Sequence, residues 1–230
     1  MSNDEYKREA ADAAVERYVE SGMVVGLGTG STATFAVRRI GELVASGELR
    51  NFKGIPTSAR TTALANELGI PLATLSEARP LLTIDGTDEV SPELALIKGR
   101  GGALLREKIV ASSSEEGLIV VADSTKKVDS LGEGFLPVEI DTFGWQVTLE
   151  ALASLGCEPG LRMDQTDPAQ PFVTDGGHYT ADCAFGSIPD PASLAVEIKN
   201  IPGALECGLF VGIARAAIIA GENGTQTIEA

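Results

Sequence analysis

Two observations predict a doubly wound α/β fold with a second, smaller α+β unit. Across the first 130 residues, short apolar runs that end in glycine or polar turns alternate with stretches of helical periodicity, the pattern of a mostly parallel sheet covered on both faces. From about Phe135 the rhythm changes to strand, helix, two strands, helix and a closing strand. At 230 residues the chain suits one medium domain, or one domain with a small appendage.

Taken in order, residues 4–20 read as a helix with apolar positions at Ala10, Ala14, Val15 and Tyr18, and Met23–Gly28 as a short buried strand running into glycines. Thr29-Gly30-Ser31-Thr32 opens a second helix that continues through Phe35, Ala36, Val37, Ile40 and Val44. Gly54–Ser58 is a strand leading to a polar turn, and a helix follows from Thr61 to Leu68. Leu81–Ile84 is another buried strand, ending at Asp85-Gly86-Thr87-Asp88-Glu89. A glycine turn, Gly99-Arg100-Gly101-Gly102, leads into a helix through Ala111; the apolar strand Gly117–Ala122 then runs out at Asp123-Ser124-Thr125-Lys126-Lys127. In the smaller unit we expect a strand at Leu136–Ile140, a helix at Trp145–Leu155, a strand at Gly160–Met163 and a hairpin over Phe172–Phe185 about Gly176-Gly177. A helix at Ser193–Ile201 and a last apolar strand from Cys207 to Val211 complete it, while Ile218, Thr227 and Ile228 return to the first unit. Ligands of such parallel sheets bind beyond the C-terminal strand ends, at the switch point of the strand order. The polar motifs at 28–32, 57–60, 85–89 and 123–127 each follow a strand, so they are expected to gather at one edge with the glycine turn.

Composition narrows the classes of function. A hydrophobic content of 43% with 22% charged residues describes a soluble globular protein, and no apolar run reaches the roughly 20 residues of a membrane span. The charged stretch Met1–Ala14 predicts no signal peptide, and the expected location is cytoplasmic. The net charge of −15, from 33 acidic and 18 basic residues, argues against nucleic acid and anionic membranes as partners. Self-repulsion of that size is better tolerated where salt screens it, so an acidic surface of the halophilic type is one expectation. Cys157, Cys183 and Cys207 form no CxxC pair, which leaves reduced thiols as the default.

The chemistry is expected at the glycine turn. Gly99, Gly101 and Gly102 let the backbone approach a ligand, and the helix behind them offers unpaired N–H groups. Within its first turns lies Glu107, whose helical neighbours at three and four residues are Ala103, Leu104, Val110 and Ala111. With no lysine or arginine among them, Glu107 is expected to be partly desolvated and raised toward the pKa of a general base. The alternative is an ordinary amphipathic helix whose Arg106-Glu107-Lys108 triplet faces water. Gly26–Thr32 fails the GxGxxG test because Ser31 stands where the third glycine is needed, and it lacks the GKS/T ending of a P-loop. What remains is a helix N-terminus with adjacent hydroxyls, suited to a small phosphate, or merely a capped helix. Asp85 and Asp88 suit either a metal or a clamp on sugar hydroxyls; the cations Lys98 and Lys126 weigh against the metal. His178, the only histidine, is expected on the surface of the hairpin, away from the cluster, which leaves acid–base work to a perturbed carboxylate or lysine.

GLGTGSTA, DGTDE, IKGRGGALLREKIVA and ADSTKKVD, in this order and spacing, resemble the A type of ribose-5-phosphate isomerase, and the resemblance covers nearly the whole chain. It implies an intramolecular oxidoreductase that interconverts D-ribose 5-phosphate and D-ribulose 5-phosphate in the non-oxidative pentose phosphate pathway. The reaction would pass through a cis-enediolate, with no metal and no cofactor. The family's catalytic glutamate falls on Glu107, and its substrate-binding segments fall on Thr29, Gly30, Ser31 and Thr32, on Asp85, Gly86, Thr87 and Asp88, on Lys98, Gly99, Arg100 and Gly101, and on Lys126. Arg100 departs from the glycine common in relatives and would meet either phosphate or solvent. The resemblance also implies a Rossmann-like domain of residues 1–131 plus 206–230, an inserted ferredoxin-like βαββαβ domain of residues 132–205, and a homodimer or homotetramer. Among the site residues, Lys98 and the glycine amides are candidates for oxyanion stabilisation, Asp85 for ring opening, Asp88 for orienting a hydroxyl, and Thr29–Thr32 with Lys126 for the phosphate.

A sugar-phosphate sensor and a coenzyme A transferase are the rival classes. The first usually carries a DNA-binding domain, of which this chain shows no basic helix-turn-helix, and the second is much longer.

Overall fold

The structure is a computed structural model that describes residues 2–230. The first helix, α1 (Asn3–Tyr18), starts from a capping box in which Ser2 and Glu5 satisfy each other's backbone N–H. Then follow β1 (Val24–Leu27), α2 (Ser31–Ser46), β2 (Lys53–Pro56), α3 (Ala59–Glu67) and β3 (Leu82–Gly86). Two very short strands, β4 (Glu89–Val90) and β5 (Leu96–Ile97), precede the glycine turn and α4 (Leu104–Ser112). After β6 (Leu118–Asp123) and a 3-10 turn at Ser124–Lys126 come β7 (Phe135–Ile140), α5 (Trp145–Ala153), β8 (Glu158–Leu161), β9 (Tyr179–Ala184), α6 (Pro191–Lys199) and β10 (Ala204–Cys207). The chain closes with β11 (Leu209–Phe210), β12 (Ala214–Gly221) and β13 (Gly224–Glu229).

The main sheet has the order β13-β12-β6-β3-β1-β2, parallel throughout except for the antiparallel hairpin strand β13 at its edge. Every residue of the central strand β6 is buried, as a strand covered on both faces requires. On one face Ala10, Ala14 and Val15 of α1 and Val37 and Ile40 of α2 pack on Val25, Ile84 and Ile119; on the other, Val120, Ala217 and Phe210 pack with Leu96 and Ala111. The chain leaves β1 in one direction to reach β2 and returns to its other side for β3. The switch point therefore lies between β1 and β3, and the ends of those two strands carry Gly28-Thr29-Gly30 and Asp85-Gly86.

The smaller unit is a four-stranded antiparallel sheet of order β10-β7-β9-β8 with α5 and α6, a βαββαβ arrangement around a core of Leu136, Val138, Ile140, Ala181 and Ile198. A third sheet, β11-β5-β4, joins the two and places Lys98 directly after β5.

Several elements differ from expectation. The hairpin expected over Phe172–Phe185 is a strand only from Tyr179; the residues before it form a loop because Thr174, not a partner strand, takes the amides of Gly176 and His178. The expected strand Cys207–Val211 is divided: β10 belongs to the small sheet and β11 to the three-stranded one, with Gly208 bonded to Pro137 between them. His178 is half-buried rather than on the surface, because Glu139 draws its Nδ1 to 2.9 Å.

Candidate active site

At the β1/β3 switch point lies a small polar cleft of about 80 Å³. Its floor is a buried triad. Lys98 is 2% exposed, and its Nζ has three oxygens within 3.1 Å: Gly86 O at 2.6 Å, Asp85 Oδ2 at 3.0 Å and Glu107 Oε1 at 3.1 Å. The lysine is fixed from behind as well, since its own amide donates to Gly208 O at 2.9 Å and a Cβ at Gly208 would sit 2.2 Å from Lys98 O. Its ammonium also lies 5.4 Å from the centroid of the buried Phe210 ring.

Glu107 lies in the first turns of α4, 4% exposed, on the wall of the cleft. Its Oε2 is buried and has no hydrogen-bond partner. Burial pushes the Glu107 carboxyl up, Lys98 pulls it down, Asp85 pushes it up again, and the balance is a pKa raised to about 8. One cation shared between two buried carboxylates explains why one of them holds its proton so far above the ordinary range. Lys98 moves the other way from what burial alone would do: the Asp85 and Glu107 charges outweigh desolvation and keep it an ammonium.

One end of the cleft is built by α2. Its N-cap is Gly30 at φ 116°, a conformation that suits glycine, and no side chain caps the helix, so its first amides remain available. Thr32 and Lys126 line the cleft beside them. Close packing holds this end against β3: Thr29 N donates to Asp85 Oδ1 at 3.0 Å, and a Cβ at Gly28 would lie 2.2 Å from that same oxygen. On the other wall, Asp88 accepts from Arg100 N at 2.9 Å.

Nearly all the expected residues converge here: Thr29, Gly30, Ser31, Thr32, Gly86, Thr87, Asp88, Lys98, Gly99, Gly101, Glu107 and Lys126 line the cleft. Four of them act differently from the sequence reading. The Thr29 hydroxyl turns away into a buried cluster with Thr57, Ser58 and Thr61, so only its backbone is left at the cleft. The Thr87 hydroxyl is committed to Glu89 O and Ile97 O, where it ties β4 to β5. Asp85 is fully buried beneath the cleft, outside its lining, and its Oδ1 holds the amides of Thr29 and Gly86 while its Oδ2 lies beside Lys98. Arg100 is outside the cleft lining: its guanidinium pairs with Glu89 Oε1 at 2.5 Å and lies 5.1 Å from the centroid of the Phe135 ring. The Lys98 ammonium donates to Gly86 O and Glu107 Oε1 and pairs by charge with Asp85 Oδ2.

Among the described residues no group of three or more His, Cys, Asp or Glu side chains could hold a metal ion, and no helix is long and apolar enough to cross a membrane. A larger groove of about 450 Å³ runs along the other side of α4, between Ile55, Leu72, Leu75 and Ile109. Its only charged groups are Glu77 and Arg106, and it lacks a buried acid–base pair.

Residues 53–224 match the sequence profile of ribose 5-phosphate isomerase A (phosphoriboisomerase A). The ribose-5-phosphate isomerase A of Gloeobacter violaceus is 56% identical over 99% of this chain and 97% of its own, and that of Roseiflexus castenholzii 50% identical over 100% and 97%. A D-ribose-5-phosphate isomerase solved in complex with phospho-erythronic acid superposes with a TM-score of 0.96 at 37% identity, each chain covered in full, and the enzyme of Methanocaldococcus jannaschii does so with 0.94 at 37%. The chain belongs to the ribose 5-phosphate isomerase A family, the enzymes that interconvert ribose 5-phosphate and ribulose 5-phosphate.

Proposed function

We propose that Glu107 is the base that carries the proton between C2 and C1 of the open-chain pentose phosphate. The observation that carries this reading is its buried, unpartnered Oε2 on the wall of the cleft, beside a fixed ammonium. As a carboxylate, Glu107 takes the proton from C2; the C–H electron pair becomes the C1–C2 double bond, and the aldehyde electrons move onto O1. Returning that proton to C1, while the hydroxyl proton passes from O2 to O1, leaves the carbonyl at C2 and completes the ketose. A group whose pKa lies near the working pH serves both halves of the cycle. The developing enediolate is stabilised by the charge of Lys98 and by the amides of Gly99 and Gly101, which find no protein acceptor among the described residues.

The α2 amides, the Thr32 hydroxyl and Lys126 hold the phosphate, and Asp88 keeps one oxygen free of protein donors for a sugar hydroxyl. The phospho-erythronic acid complex of a relative supports a phosphorylated sugar chain as the ligand class. Two finer readings go with this one. The enzyme works in the cytoplasm as a homo-oligomer of this chain alone, and its net charge of −15 keeps nucleic acid and anionic membranes from being partners. Its two domains divide near residue 131 and after β10, so Glu206 and Cys207, expected with residues 206–230 in the first domain, stay with the smaller sheet.

Proton NMR with ribose 5-phosphate in D₂O and EDTA tests the chemistry. Ribulose 5-phosphate is expected to form, with deuterium entering at the carbon that exchanges its proton through Glu107. Product formed with no solvent deuterium at any turnover would point to direct hydride transfer and remove Glu107 as the base.

A further inference from the structure

We infer that Arg162, on the smaller unit, is a positioning residue for the isomerisation: it aims the amide of Gly101 into the cleft by gripping the carbonyls of the glycine turn. Arg162 follows β8. Its Nη1 donates to Gly99 O at 3.3 Å and to Arg100 O at 3.1 Å, across the junction between the two units. The rest of the guanidinium is fixed by Asp182 of β9, through Nε at 2.9 Å and Nη2 at 2.5 Å, and its carbon lies 5.7 Å from the ring centroids of both Phe135 and Phe172. A bidentate carboxylate and two aromatic rings leave this arginine little freedom.

The consequence follows from the peptide bond. In a planar trans peptide the C=O and N–H point in opposite directions. Arg162 draws the carbonyl of the Arg100–Gly101 peptide toward the smaller unit, so the N–H of Gly101 must point the other way, toward the cleft that Gly101 lines. The preceding peptide is held at both ends, its carbonyl by Arg162 and its N–H by Asp88 Oδ2 at 2.9 Å. Phe172 closes the turn from the other side, where a Cβ at Gly102 would lie 2.4 Å from its ring. A glycine-rich turn is otherwise the most mobile kind of backbone, and an amide that must meet a developing oxyanion cannot wander. The positive charge at the carbonyls also polarises the peptides and strengthens their N–H groups as donors.

This inference rests on the assignment of the turn to the oxyanion, and the test separates the two. Arg162→Lys keeps the charge but loses the fork that serves Asp182 and the turn together; Arg162→Gln removes both. For each, we would measure kcat, KM, inhibition by phospho-erythronic acid, whose carboxylate presents paired oxygens as an enediolate does, and inhibition by inorganic phosphate, which needs only the α2 end. The expected result is a kcat lower by a factor on the order of 10 to 100, less than the loss of a whole oxyanion donor. Phospho-erythronic acid should weaken by a similar factor, while KM and phosphate inhibition should change less than about threefold. Unchanged kcat in folded variants would overturn the inference, and so would a parallel loss of phosphate binding, which would mean general loosening. Should both variants fail to fold, Asp182→Asn frees the guanidinium without removing it, and its kcat must fall with phosphate inhibition intact. If phospho-erythronic acid inhibits the wild-type enzyme no better than phosphate does, the oxyanion assignment fails first.

Discussion

Glu89 and Glu107 are both buried glutamates, 3% and 4% exposed, and both stand beside a cation, yet their chemistry is opposite. Burial pushes Glu89 up, but the amides of Gly132 and Gly134 and the Arg100 guanidinium outweigh it and hold its carboxyl below the usual range. Glu107 has one oxygen on Lys98 and the other on nothing, must share its lysine with Asp85, and is raised to about 8. A carboxylate with donors on both oxygens is a brace; one left short of donors is a base waiting for a proton.

Exchanging each glutamate for its amide separates the two roles. Glu107→Gln should lower kcat by a factor on the order of 100 to 10,000 with little change in KM, since only the base is lost. Glu89→Gln should leave kcat within a few-fold and lower stability by about 1–3 kcal/mol, because an amide cannot satisfy both glycine N–H groups and Arg100. Steady-state kinetics and denaturant melts on both variants decide it; a Glu107→Gln enzyme with near-normal turnover would sink the base assignment.

The next effect is on pH. With Glu107 raised to about 8, the free enzyme carries it protonated at pH 6, and a base must be unprotonated to begin. The kcat/KM for ribose 5-phosphate should therefore rise with pH, about tenfold per unit, and level off near 8. Stability runs the other way: a carboxyl whose folded pKa lies above its unfolded 4.5 favours the fold below 4.5 and loses that advantage as pH climbs toward 8. A kcat/KM profile flat from pH 6 to 9 would show that Glu107 is already ionised at neutrality.

How much of this the sequence carried depended on distance along the chain. The βα rhythm, the switch-point location and the isolation of Glu107 on its helix are local patterns, and they put Glu107, Lys98 and Lys126 at the cleft. What the sequence did not reveal rests on contacts across the fold. Thr29 looked like a ligand because nothing nearby shows that Thr57, Ser58 and Thr61 claim its hydroxyl. Arg100 looked free because its partner Glu89 lies across a hairpin of two-residue strands, too short to leave a periodicity. Arg162 carries no local signal at all; only the packing of the smaller unit brings it to residues 99 and 100.

Lys126 tests whether the cleft's two ends act separately. It lines the cleft beside the start of α2, and no protein carboxylate pairs with it among the described residues. Lys126→Ala should raise KM about tenfold and leave kcat within about twofold, the mark of an interaction equal in ground and transition states. A loss confined to kcat would move Lys126 to the reacting carbons.

The smallest expected effect separates exposed carboxylates from buried ones by salt. A net charge of −15 repels itself across the surface, and the repulsion is screened as the Debye length falls from about 10 Å at 0.1 M to 3 Å at 1 M. The Asp85–Lys98–Glu107 triad lies out of reach of that screening, with Lys98 only 2% exposed. Raising NaCl from 0.1 to 2 M should therefore lift Tm by a few degrees, roughly what 1–2 kcal/mol produces in a chain of this length. The same change should leave the pH at which kcat/KM levels off almost unmoved. A Tm that is flat or falls with salt would show that ion pairs such as Arg17–Glu229 and Arg39–Glu42 outweigh the net repulsion. A pH midpoint that moved with salt would mean that the Glu107 carboxyl is open to solvent, which its burial forbids.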